Sequence, residues 1–142
     1  MPMRPTVADL DAHIQRLCDA HGVERRVGGR AIAYRRGPAG RRLPGIRVPP
    51  IRSQITYAVA LHELGHLLGP GRSGTRLEKE AAAWRWALAH SMVELTDHTR
   101  RSAGRRLRSY VIWAEHRQHR KRPPRIPAAG SPFWALLAEL EA

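Results

Sequence analysis

Gln54-Ile-Thr-Tyr-Ala-Val-Ala-Leu-His-Glu-Leu-Gly-His-Leu-Leu68 is the stretch on which the rest of the chain turns. Ile55, Val59, His62 and His66 recur at helical spacing along one face, and Tyr57, Ala58, Leu61, Leu64 and Leu68 cover much of the remainder. A helix so apolar nearly all round belongs inside a domain. Ser53 supplies an N-cap, and Gly69-Pro-Gly-Arg-Ser-Gly74 ends the helix. Within it lies His62-Glu-Leu-Gly-His66. Residues i and i+4 stand one turn apart on the same face, so both imidazoles can reach one metal ion. Glu63 can then reach a water in the metal's open position and take its proton.

A hydrolytic zinc site needs three protein ligands and one open position. The third is expected on the next helix, read from Thr75 or Arg76 to about Leu95, with Leu77, Ala81, Trp84, Leu88, Met92 and Leu95 as its apolar stripe. The Gly/Pro-rich loop lets this helix double back antiparallel to the first. Glu80 lies on one flank of the stripe and Glu78 on the other. Glu80 is the better placed. The set then comprises Zn2+ ligands His62, His66 and Glu80, with Glu63 as catalytic base. Three ligands and a base favour an enzyme over a closed structural site.

Working outward, Thr6 to His21 reads as a packing helix with Thr6 as N-cap and Cys18 on its apolar stripe. Alternation around Ile32 and Tyr34, and again in Gly45-Ile-Arg-Val48, predicts short strands joined by the turn formers between Arg36 and Pro44, a hairpin or short meander. A basic helix follows at about residues 102–118, with Ala103, Leu107, Tyr110, Val111 and Ala114 inward. Pro123, Pro124 and Pro127 mark a linker. Ser131 and Pro132 then open a short amphipathic helix. The organisation expected is one domain over residues 1–122, followed by a Pro-rich linker and C-terminal helix over 123–142. The fold class is α+β: a helical domain with a small antiparallel sheet packed against the H-E-x-x-H helix.

The 142 residues are 42% apolar with mean hydropathy −0.47, values of a soluble globular chain. The opening Met-Pro-Met-Arg-Pro-Thr has no apolar signal core, and a single cysteine makes no internal disulfide, so a cytoplasmic location is expected. Lys plus Arg number 25 against 12 Asp plus Glu, a net charge of +13. Ten basic residues lie between Arg100 and Arg125. Arg101, Arg105 and Arg108 share a face that could meet nucleic acid or an acidic partner, although charge runs are more often solvated surface. Among side chains able to donate to an oxyanion, His90, His98 and Tyr110 are candidates.

The run Ile55 to Leu68, followed by Leu77-Glu-Lys-Glu-Ala-Ala-Ala-Trp84, resembles the ImmA/IrrE family of metallopeptidases. The resemblance implies a gluzincin-like zincin fold, Glu80 as third ligand and Trp84 as the family's aromatic. It also implies a phage or mobile-element setting and a protein substrate such as a helix-turn-helix repressor. Ala82 replaces the family's asparagine, and Leu88-Ala-His-Ser91 replaces its L-L-M-P ending. The alternative is a catalytically degenerate zincin-fold module that binds nucleic acid or a regulatory protein through the Arg-rich helix.

Overall fold

A computed structural model describes residues 4–36, 43–71 and 74–142. The order is α1 (Val7–His21), β1 (Glu24–Val27), β2 (Ile32–Tyr34), β3 (Gly45–Val48), α2 (Gln54–Leu68), α3 (Arg76–His90), α4 (Asp97–Glu115) and α5 (Pro132–Glu141). The class is therefore mixed α+β, with five helices and one three-stranded sheet among the described residues. Most of the turn expected between Arg36 and Pro44, Arg72 and Ser73 of the inter-helix loop, and Met1 to Met3 lie outside those residues.

Helix starts follow side-chain chemistry. Thr6 accepts from the Asp9 amide while Asp9 accepts from the Thr6 amide, a reciprocal cap that satisfies two otherwise orphaned donors. Ser53 and Thr56 do the same for α2. Ser131 caps α5, with Pro132 in its first turn. Nearly every residue of α2 from Tyr57 to Leu67 is buried, which is why its sequence is apolar all round. The helices α1, α3 and α4 and strands β2 and β3 pack around it. Phe133, Leu136, Leu137 and Leu140 of α5 join the same hydrophobic core, where Leu140 closes on Gly104 of α4.

Three elements depart from the sequence reading. The sheet is mixed, not antiparallel: its order is β1-β3-β2, with β1 parallel and β2 antiparallel to β3. Its first strand, Glu24-Arg-Arg-Val27, carries no apolar alternation and was invisible to pattern. It forms because the open edge of β3 takes up its backbone groups. Helix α3 ends at His90, short of Leu95. The next residues have other partners: Ser91 Oγ donates to the Val93 carbonyl, and the Met92 amide donates to the Tyr57 hydroxyl. Leu95 is still buried but Met92 is exposed. Helix α4 begins at Asp97, not near residue 102, because Thr96 accepts from the Thr99 amide and starts it there.

Candidate metal centre

Helices α2 and α3 cross with their backbones almost touching. A Cβ on Gly65 would lie 2.6 Å from the Ala83 carbonyl oxygen, so only glycine fits the middle of His62-Glu-Leu-Gly-His66. The crossing carries Glu80 over the two imidazoles. Its Oε2 lies 2.8 Å from His62 Nε2 and 3.0 Å from His66 Nε2, and the two nitrogens are 3.1 Å apart. Tetrahedral zinc with bonds of about 2.0–2.1 Å separates its donor atoms by about 3.3 Å. The three atoms fit one face of such a site.

Two carboxylates lie near the histidines, and geometry divides their work. His62, Glu63 and His66 offer donor atoms all within 4.8 Å of one another, a group able to hold a metal ion. Glu63 Oε1 is nonetheless 4.0 Å from His62 Nε2, beyond the spacing of adjacent ligands, whereas Glu80 meets it. Glu63 therefore fits an outer position, one water away. Glu78 is exposed, and accepts from the Thr75 hydroxyl instead.

Electrostatics follow from burial and proximity. Burial raises the Glu63 carboxyl to about 7, with His66 opposing and Glu80 assisting. Burial would raise Glu80 too, but hydrogen bonds from His62 and His66 outweigh it and hold this carboxyl well below the usual range. Burial depresses His62; in His66, burial also depresses, yet the hydrogen bond and charge of Glu80 win and raise it. Of the two imidazoles, His66 is the one whose protonated form Glu80 favours. Among the described residues, His62 Nδ1 is buried without a hydrogen-bond partner. Its ring is held by stacking on Trp84 instead, at 4.3 Å between centroids and 30° between planes. Metal-bound histidines usually donate that second nitrogen; here packing sets the ring's orientation.

Of the three oxyanion candidates, only Tyr110 reaches this site. It lines the same cavity, of about 610 Å³, as Glu63, His66 and Glu80. Burial, then the charge and hydrogen bond of Glu80, push its phenol up to about 12, so it stays a neutral donor. His90 stacks on Trp86 with Nδ1 2.8 Å from the Trp86 carbonyl, and His98 is exposed at the start of α4. Arg101 and Arg105 are exposed, and neither lines a cavity described here. Arg108 is held by two hydrogen bonds to Glu141, at 3.0 and 2.6 Å. The arginines that line this cavity or the neighbouring one beside His62 are Arg30, Arg35, Arg76 and Arg106, none of which sequence reasoning singled out for the site. The available signal was the α4 register: Arg106 is four residues before Tyr110, on the face toward α2 and α3.

Compared with protein-family models, with curated proteins and with solved structures, the chain matches none. Among the described residues, no helix is long and apolar enough to cross a membrane.

Proposed function

We propose that this protein is a zinc-dependent metalloendopeptidase that hydrolyses peptide bonds of a protein substrate. One observation carries the reading: His62 Nε2, His66 Nε2 and Glu80 Oε2 converge within 3.1 Å of one another, with the Glu63 carboxylate just outside them. His62, His66 and Glu80 would hold the ion. Zinc bound there would lower the pKa of a water toward about 7 and polarise a scissile carbonyl. Glu63 takes the water's proton and returns it to the leaving amine. The neutral Tyr110 hydroxyl, and Arg106, which lines a cavity with His62 and Glu63, are donors placed to meet the developing oxyanion. Trp84 keeps the His62 ring from turning away. The likeness of Ile55 to Trp84 to the ImmA/IrrE family favours a zincin-type domain and a transcriptional regulator as substrate.

Metal analysis of the purified protein, together with Glu63→Gln, tests this. The variant should retain zinc and lose cleavage of unfolded protein substrates. Cleavage at the wild-type rate would sink the mechanism, and the absence of stoichiometric transition metal in wild-type protein would sink the zinc assignment.

A further inference from the structure

The cleft around the metal ligands opens into something larger. Arg76 lines the cavity that holds Glu80 and Tyr110, the one that holds His62 and Arg106, and a third of about 820 Å³. Trp113 is shared by the last two, so the three spaces share walls and lead from the metal site outward. The walls of the third are unusual. Arg76, Arg117, Arg120, Arg122 and Arg125 face it, against Glu78 as its one carboxylate among the described residues. None of the five arginines has a described carboxylate within ion-pair distance; the ion pairs among described residues are elsewhere.

Two of these guanidiniums are already in place. The carbon of Arg76 lies 4.8 Å, and that of Arg117 5.0 Å, from the centroid of the Trp113 ring. Arg117 also donates to the Trp113 carbonyl at 3.0 Å. Stacked guanidiniums lose less side-chain freedom when an anion arrives, and their planar forks match carboxylates bidentately. Positive charge held unpaired in a recess draws anions. Nucleic acid is the less suitable occupant. Trp113 already engages two cations where a base would stack, and the outer row of α4 is broken by the pairing of Arg108 with Glu141.

We propose that this arginine-lined cavity is a subsite that binds Asp and Glu side chains of the substrate, so that the enzyme selects acidic polypeptide segments. The proposal rests on the peptidase reading for its place beside the metal, but it is tested by binding alone. Zinc-loaded Glu63→Gln protein is titrated, by fluorescence anisotropy, into three labelled probes at physiological ionic strength. These are a short peptide alternating Glu and Ala, its Gln counterpart, and an oligothymidylate of matched charge. The Glu peptide should bind at least roughly tenfold more tightly than the Gln peptide. Arg117→Gln with Arg120→Gln should remove that preference while zinc content stays the same. Arg120→Gln with Arg122→Gln, two exposed residues whose loss leaves the Trp113 stack intact, should weaken binding in the same direction. Equal affinity for the two peptides, an unaltered preference in both double variants, or tighter binding of the oligothymidylate would each overturn the subsite. A protein that binds the Glu peptide through these arginines yet cleaves nothing in its wild-type form would instead remove the peptidase reading and leave the cavity's ligand class standing.

Discussion

Gly65→Ala isolates the contact that sets how Glu80 stands over His62 and His66. The added Cβ would meet the Ala83 carbonyl oxygen at 2.6 Å, Ala83 Cα at 3.0 Å and the carbonyl carbon at 3.2 Å. All three are backbone atoms of a packed helix, so no flexible side chain can yield. Restoring an ordinary contact near 3.4 Å from 2.6 Å requires α3 to retreat by 0.8 Å. Metal ligands tolerate about 0.2 Å, and Glu80 sits one turn from Ala83 on the same helix. The variant should therefore bind zinc about 10- to 100-fold more weakly, the range seen when the support of a ligand is disturbed. Stability moves less, because two terms oppose each other. Overpacking costs about 1–3 kcal/mol, and replacing a mid-helix glycine by alanine returns about 1 kcal/mol. A net loss of about 1 kcal/mol lowers the midpoint of a domain this size by about 3 °C. Zinc affinity is read by competition with a chromophoric chelator, and the metal-free melting midpoint by circular dichroism. Wild-type zinc affinity in Gly65→Ala would refute the claim that this crossing positions Glu80. A higher midpoint with weakened zinc binding would mean that α3 moves freely and that only the ligand geometry is constrained.

Three further outcomes follow from the site. Glu80→Ala should strip zinc from the purified protein while Glu78→Ala keeps it, as metal analysis of the two would show; the reverse pattern would move the third ligand to the other flank of α3. Tyr110→Phe should lower kcat by about 100-fold at saturating zinc with unchanged metal content; a loss of zinc instead would mean that the phenol acts by holding Glu80. Zinc affinity should fall as the pH drops through the raised pKa of His66, since the proton that Glu80 stabilises there must leave before the ring can ligate. The sign is fixed by competition: below that pKa the proton wins, above it the metal wins. Calorimetry in buffers of different ionisation enthalpy should show proton release on binding at mildly acidic pH, and uptake without release there would contradict the assignment.

The chain's local chemistry was sufficient for much of this. Thr6, Ser53 and Ser131 mark helix starts because their hydroxyls satisfy backbone donors within three residues, a reach too short to depend on the fold. The spacing of His62 and His66 places two imidazoles on one face in any helix. The unbroken apolar character of α2 already required that it be enclosed. Each of these facts is settled within one or two turns of chain.

Tertiary structure decided the rest. Glu78 and Glu80 are separated by about 200° around their helix, and only the approach of α3 to α2 at Gly65 and Ala83 turns Glu80 inward. Strand β1, three of whose four residues are charged, exists because β3 offers it an open edge, so it leaves no periodic trace in its own sequence. The end of α3 at His90 depends on the Tyr57 hydroxyl, 35 residues earlier in the chain, accepting from Met92. The arginines divide in the same way. Arg101, Arg105 and Arg108 form a row by spacing alone, but one of them is taken up by Glu141 of α5. Arg76, Arg106 and Arg117 come from two helices and the turn that follows, and they meet around Tyr110 and Trp113 only after α3 and α4 have packed. Helical spacing fixes which residues share a face; which face meets which is set by long-range packing, and the placement of Glu80 and the charged cleft both depend on that.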